Sequence, residues 1–417
     1  MASKKSYINK YLKGVLMMKK IIISALLILL FLLGSCTHLA SVKKGNFITD
    51  NNRFALKFYA AIESQKENTF ISPYSISTAL AMTYAGAEGK TKKEMAEVLE
   101  FNQSEDELLA NFDILEANLG KICKEQDVDL FTANALWIHK NYEILKSYRE
   151  TMEKYFSSSL YKVDFVDSTA KAAARINNWV AAQTRDKIQD LIHRNDIDAF
   201  TRLVLTNAIY FKGDWKYQFA ERSTKKMDFW LQKDISTEVD MMYQRHKLPY
   251  AESKRFQILE LPYKDSGISM LIFLPRKQED IKMLEKYIAE DSLLYKQRKM
   301  ENVEVYLPKF KIEKRYAKLK KTFRKLGMER AFSAAEANFS GISPADDLFI
   351  GKIIHQAYID VNEQGTEAAA ATAVSMRLKS VAPPPNPVVF KADHPFFFVI
   401  QENTSDTILF LGRVNQP

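Results

Sequence analysis

Hydrophobic positions along this chain change their repeat near residue 200. Before that point apolar residues recur three and four apart in "NNRFALKFYAAIES", "SISTALAMTYAGA", "TKKEMAEVL" and "SEDELLANFDILEANL". That spacing places one apolar stripe along a helix. Ser75, with Pro73 just ahead of it, is the expected cap of the second helix. "DLFTANALWIH" reads as a strand, and "TAKAAARINNWVAAQTRDKIQDLI" as one more amphipathic helix and its exit. After residue 200 strands dominate. "TRLVLTNAIYF" is nearly continuous apolar, as in a strand buried on both faces. "FQILELPY" and "GISMLIFLP" flank "KDSG", a hairpin signal, and "NVEVYLPKFKI", "LFIGKIIHQAYIDV", "NPVVFKADHPFFFVIQE" and "TILFLGRV" follow. Helices first and strands later predict an α+β fold with large antiparallel or mixed sheets. No internal repeat and no linker after residue 45 divides the chain, so one domain over 46–417 is expected.

The start of the chain departs from this pattern. "MKKIIISALLILLFLLGSC" opens at Met18 with two lysines and continues as an apolar run from Ile21 to Leu33. A basic start, a short apolar core and small residues at its end are the marks of a secretory signal. The run of 13 residues is too short to span a bilayer comfortably. Leu33-Gly34-Ser35-Cys36 resembles a bacterial lipobox. Residues 1–35 are then the signal, with Met18 as the true start, Cys36 the lipidated first residue and 36–45 a linker. The expected location is the bacterial cell envelope, with a lipid as membrane anchor. Cys123 is the one other cysteine, so an acylated Cys36 leaves no intramolecular disulfide.

Composition adds little beyond an ordinary globular balance of 47% apolar and 27% charged residues. The formal charge of +9 is concentrated at the start: residues 1–35 hold six lysines and no acid, which leaves 54 basic against 51 acidic residues after them. That balance makes no case for a nucleic-acid partner. No HExxH, CxxC, GxSxG or GxGxxG occurs. "AGAEGKTKK" lacks the glycine spacing of a phosphate loop and reads as a turn between helices. His355 and Asn207 lie in apolar strands, where a hydrogen-bonded core residue is the ordinary outcome. No nucleophile, base and orienter assemble, so an enzyme is not expected, nor a metal or cofactor.

The segment that this account leaves over is "EQGTEAAAATAV", residues 363–374. Alanine favours helix, yet Gly365 stands before the run and "VAPPPNP" follows it. As a strand it has two different faces. Thr366, Ala368, Ala370, Thr372, Val374 and Met376 form one, small and uncharged, while Glu367, Ala369, Ala371, Ala373, Ser375 and Arg377 carry every charge on the other. Such a strand can slide into a sheet with its small face inward.

"VNEQGTEAAAATAV" closely resembles the hinge of inhibitory serpins: Glu363, Gly365, Thr366, Glu367 and the alanines Ala368, Ala369, Ala370 and Ala371. "NTFISPYSISTALAMTYAGAEGKTKKEM", "LVLTNAIYFKGDWKYQF", "LPKFKI", "HPFFFVI" and "ILFLGRV" match that family in order, from about Asn46 to Pro417. The resemblance implies three sheets, eight or nine helices and an exposed reactive-centre loop. It implies a suicide-substrate inhibitor: the protease acylates itself on the loop, the cut loop inserts as a central strand, and the trapped protease is distorted. Loop insertion in serpins is a standard instance of released strain. The family's fixed distance from the hinge glycine puts the scissile bond at Lys379–Ser380, with Arg377–Leu378 next best; a basic residue there suits a trypsin-like serine protease. Ser72, Ser75, Asn207 and His355 match the family's shutter, and Trp215 and Lys309 its breach. Lys309 and Glu363 are expected to pair. The acidic "SEDELLANFDILEANL" lacks the basic face of glycosaminoglycan-activated members, so no such cofactor is expected. The partner is one target protease, covalently held, by a monomer. Two other functions stay open: a non-inhibitory binding or chaperone-like protein of the same fold, and an inhibitor of cysteine or other proteases through neighbouring loop bonds.

Overall fold

The computed structural model describes residues 47–62, 67–125, 128–157, 159–278, 281, 297–366 and 386–417. Cys36, the linker, Glu367, the four hinge alanines and both candidate bonds, Arg377–Leu378 and Lys379–Ser380, lie outside them.

Seven α-helices and fifteen strands occur among the described residues, in the order helices-then-strands. Helices α1 (Thr49–Ala61), α2 (Pro73–Tyr84), α3 (Gly89–Leu99) and α4 (Glu105–Glu125) match the four periodic segments, with β1 (Thr69–Ile71) between the first two. α4 carries Glu105, Asp106 and Glu107 in its first turn and Lys124 in its last, the charge placement that suits a helix dipole. One detail differs from expectation: Ser72, not Ser75, caps α2, its hydroxyl accepting the Ser75 N–H at 3.2 Å. Pro73 takes the first helical position, where its missing N–H costs nothing, so the residue before it must be the cap. β2 (Val128–His139), α5 (Lys146–Phe156), β3 (Leu160–Val163) and α6 (Thr169–Gln183) complete the first half.

In the second half β4 (Leu203–Asp214) is followed by β5 (Lys225–Gln232), β6 (Ile235–Glu252), β7 (Phe256–Pro262), β8 (Ile268–Pro275), β9 (Lys299–Pro308) and β10 (Phe310–Tyr316). α7 (Leu319–Lys325), β11 (Ile350–Val361), β12 (Gly365–Thr366), β13 (Val388–Lys391), β14 (Phe396–Glu402) and β15 (Thr407–Val414) follow. The β7–β8 hairpin forms where "KDSG" stands, with Asp265 and Gly267 both at positive φ. The sequence pattern missed β5 and β6. β5 buries only Phe229 fully, so it shows no alternation to detect.

Among the described residues the strands form two hydrogen-bonded sheets, where the resemblance implied three. One has six strands in the order β10-β11-β12-β4-β2-β3; the other has nine, β1-β15-β14-β8-β7-β6-β9-β13 with β5 on β6. β6 joins two parts of the larger sheet, pairing β9 and β5 along most of its length and β7 only at Tyr250–Glu252. The six-stranded sheet is central. Leu203, Leu205, Ile209 and Phe211 of β4 enter the main core, while Val204 and Ala208 pack on the second cluster with Ile176 and Val180 of α6. That double burial is why β4 reads as unbroken apolar sequence.

Candidate functional site

β4 and β11 are the middle of the central sheet, and they pair directly and in parallel from Ile350↔Leu203 to Tyr358↔Tyr210. No strand stands between them there. At the Val361 end of β11 the chain turns back. Asn362 Oδ1 accepts the N–H groups of Gln364 at 3.0 Å and Gly365 at 3.3 Å, an Asx turn. Gly365 and Thr366 then form the stub β12 between the ends of the two strands, pairing Thr366 with Val361 on one side and Gly213 on the other. Both are buried. A Cβ on Gly365 would sit 2.1 Å from the Gly213 carbonyl oxygen, so only glycine permits this close approach. Thr366, expected at the start of the inward face, already points inward: its hydroxyl lies 2.7 Å from that of the fully buried Tyr263.

Around this turn sit the residues matched to the breach. The Trp215 indole stacks on Tyr263 with centroids 4.6 Å apart and donates to the Asn362 carbonyl at 3.0 Å. Trp215 N–H donates to the Gln364 carbonyl at 2.8 Å. Lys309 Nζ meets Glu363 Oε2 at 2.9 Å, as the opposite charges led us to expect. The pair is asymmetric: the carboxylate is 8% exposed and the ammonium 40%. Thr224 donates to the other Glu363 oxygen at 2.8 Å. Burial alone would raise the Glu363 carboxyl, but its hydrogen bonds to Lys309 and Thr224 outweigh this and hold it below the usual range.

Midway down the same seam lie the residues matched to the shutter. His355 and Asn207 are direct register partners across β11 and β4, and Asn207 faces Asn134 across β4 and β2. His355 Nε2 accepts the Ser72 N–H at 3.2 Å, which leaves the proton on Nδ1 to donate to Asn207 Oδ1. Asn207 Nδ2 donates to Ser75 Oγ at 2.5 Å and to Asn134 Oδ1, and Ser75 Oγ donates to Asn134 Oδ1 at 2.9 Å. Ser72 Oγ donates onward to the Leu409 carbonyl at 2.7 Å. Burial pushes the His355 imidazole down to about 3, so it is neutral in this network. Tyr316 of β10 stacks beside it, with centroids 5.9 Å apart.

All six described shutter and breach residues thus gather on one seam. Asn134, Tyr263 and Thr224 join them and were not singled out from the sequence. Asn134 had a signal, a lone amide inside the apolar "FTANALWI". Tyr263 and Thr224 had none, since each is one polar residue among many. Of the glycines of "AGAEGKTKK", Gly86 is held by packing, since a Cβ there would lie 2.2 Å from the Ile342 side chain, and Gly89 takes a positive φ at the start of α3.

Comparison with known proteins agrees with this geometry. The family model "Serpin (serine protease inhibitor)" matches residues 49–417. A leukocyte elastase inhibitor of Equus caballus is 40% identical over 381 residues, covering 88% of this chain and 99% of that protein. An uncharacterized serpin-like protein of Methanosarcina acetivorans is 36% identical, covering 90% and 89%. Among solved structures, Serpin48 of the insect Tenebrio molitor superposes with a TM-score of 0.81 at 32% identity, covering 91% of this chain and all of that one. Uncleaved ovalbumin superposes with a TM-score of 0.78 at 28% identity. With the match running through the whole described fold, this chain belongs to the serpin family.

Proposed function

We propose that this protein inhibits trypsin-like serine proteases as a suicide substrate, cut at Lys379–Ser380, and that it acts from the bacterial cell envelope, held by a lipid on Cys36. The reading rests on one observation: the β4–β11 seam is closed along its length, while the hinge already occupies its open end at Gly365 and Thr366. A strand continuing from that stub has a set register. Gly365 faces Asp214 and Thr366 faces Gly213, antiparallel. Carried on, Ala368 would meet Phe211, Thr372 would meet Asn207 and Met376 would meet Leu203, the first residue of β4. The uncharged face then lies on the main core, whose members include Phe211, Ile209 and Leu205. Arg377 and Leu378 fall beyond the sheet end, and Lys379 just after, where a tethered protease would be pressed against the far pole.

Insertion gains ladder hydrogen bonds and apolar burial, so the closed state is kept by a barrier rather than by lowest free energy. The test is to mix the protein with trypsin and run a denaturing gel. A resistant band at the summed mass is expected, lost or redirected in Lys379→Ala. Digestion without any such band would remove the inhibitor reading. Metabolic labelling with a radioactive fatty acid, lost in Cys36→Ala, tests the anchor separately.

A further inference from the structure

The face of the central sheet opposite the His355 cluster carries a polar cavity of about 550 Å3. Gln356 lines it, one residue on from His355 and so on the other face. Gln356 pairs in register with Ala208 of β4 and Arg315 of β10, and Ala208 packs with Ile176 and Val180 of α6. One wall of the cavity is Glu313 and Arg315, on the β11 side of the seam. The other is Asp186, Lys187, Asp190 and His193, in the segment that joins α6 to β4. That segment is pinned to α6: Asn177 accepts the Ile192 N–H at 2.8 Å and donates to the Ile192 carbonyl at 2.9 Å. Two features of the cavity lack a counterpart. Gln356 is 6% exposed and donates through Nε2 to Glu313 Oε1 at 3.1 Å, but its Oε1 is buried with no donor. A buried amide oxygen is nearly always bonded. Asp186 and Asp190 meet no cation at ion-pair distance among the described residues. The nearby cations are engaged: Arg315 with Asp196 and the Leu191 carbonyl, and Lys187 over the Tyr210 ring at 5.8 Å. Three carboxylates and an acceptor without a donor call for positively charged N–H groups. Among the described residues no three His, Cys, Asp or Glu side chains gather closely enough to hold a metal ion. Separate ammonium groups on one flexible chain meet acids spread in this way, whereas a single compact ion does not.

We infer that this cavity binds a linear organic polyamine, with one ammonium at Gln356 Oε1 and Glu313 and another at Asp190 and Asp186. Such a ligand touches both sides of the β4–β11 seam. Arg315 already joins the two walls by its bonds to Leu191 and Asp196, and the polyamine adds a second tie. A strand entering between β4 and β11 would move the walls apart by one strand spacing, about 4.8 Å. The ligand therefore fits the closed sheet and has to let go as the sheet opens. A molecule that binds only one state stabilises that state by mass action. The polyamine is then a brace: it slows loop insertion and shifts the outcome from trapping toward plain cleavage. The binding site rests on the cavity and its unmatched groups; the brace rests on the inhibitor reading above.

Equilibrium dialysis of the full chain against radiolabelled spermidine tests the site. Saturable binding of one spermidine per chain is expected, with n-butylamine, which has a single ammonium, and Mg2+ each competing at least tenfold more weakly. Gln356→Leu removes the unmatched acceptor and should weaken binding at least tenfold. Asp190→Asn, at an exposed position that leaves the fold intact, should weaken it at least fivefold, and more when combined with Glu313→Gln. Glu301→Gln, at an exposed acid of β9, should change nothing. No saturable binding, undiminished binding by the combined variant, or equal competition by butylamine would each overturn the site. The brace is tested by titrating trypsin with and without spermidine, beside trypsin alone. Spermidine should raise the amount of protein consumed per trypsin trapped in the parent and not in Asp190→Asn. Binding with an unchanged ratio would overturn the brace and uphold the site. A parent that traps no trypsin at any spermidine level would remove the inhibitor reading instead, and the dialysis would still decide the site.

Discussion

Two polar clusters sit on one seam between β4 and β11, and they are built in opposite ways. The cluster at His355, Asn207, Ser72 and Ser75 is fully buried and neutral, and each of these side chains has a named partner. The cluster at Glu363, Lys309, Trp215 and Tyr263 is charged and aromatic and opens to water through its lysine. Parting the strands at the buried cluster strands several polar groups at once in a low-dielectric interior. Parting them at the open cluster lets water replace what is lost. The seam should therefore begin to open at the hinge and be held shut in its middle.

Four measurements can break or sharpen that contrast. The largest effect is expected from Thr366→Arg. In the intact protein Thr366 is already inside the sheet end, hydrogen-bonded to Tyr263. An arginine must leave that place or be buried without a partner, at a cost of several kcal/mol. Complex yield on denaturing gels should fall at least tenfold while cleavage at the same bond persists. An unchanged yield would show that the Thr366 face never enters the sheet.

Next in size is Asn207→Ala. It removes the side chain bonded to His355, Ser75 and Asn134: His355 Nδ1 is left buried without a partner, while Ser75 and Asn134 keep the bond to each other. A loss of about 1–3 kcal/mol is expected in urea unfolding, with faster polymer formation on heating. If the midpoint moves no more than for a surface alanine substitution, the barrier does not reside in this cluster.

The third measurement separates the clusters by pH. His355 binds its proton at about 3 in the fold and near 6.5 when unfolded. The unfolded chain therefore takes up the proton first as pH falls. Stability is whole above 6.5 and declines below it, by up to about 1.4 kcal/mol per pH unit, until about 3. Glu363, whose folded value is lowered, contributes above the ordinary carboxyl range and loses this only on further acidification. Between pH 6.5 and 5 the buried cluster alone should respond. The difference between wild type and His355→Gln in unfolding at those two values isolates it, and parallel curves would argue against a buried neutral imidazole.

The smallest stability change belongs to Glu363→Lys. Because the Lys309 ammonium is open to solvent, screening keeps the pair at roughly 0–1 kcal/mol. Its effect should appear in opening instead: native gels after mild heating should show more strand-linked polymer than wild type, as a freed sheet edge accepts another molecule's loop. A variant as monomeric as wild type would mean that the ion pair does not gate the seam.

Much of this seam was readable beforehand, but unevenly. β4 and β11 announced themselves as apolar runs, and the Asn207 and His355 interruptions within them pointed to satisfied core polar groups, which they are. The Lys309–Glu363 pair followed from opposite charges at matched positions. Other parts were silent. β5 lies open to solvent, so no alternation marks it. Tyr263 lies in the turn after β7, and its bond to Thr366 joins residues 103 apart in sequence. The acids at Asp186 and Asp190 could be counted from the sequence, but their place in one cavity with Gln356 could not.

By itself the sequence determined most of the helices and strands, though not β5 or β6, that residues 363–374 are small on one face, and that glycine stands at 365. These are local properties, set by periodicity and backbone sterics within a few residues. Only the tertiary structure decided that the hinge stub already lies between β11 and β4, and that Ser72 rather than Ser75 caps α2 while Ser75 serves Asn134. It alone decided that one polar cluster on the seam is sealed and the other wet. Those outcomes depend on which distant chain segments close over a residue, and burial and partners across hundreds of residues are not written in any local spacing.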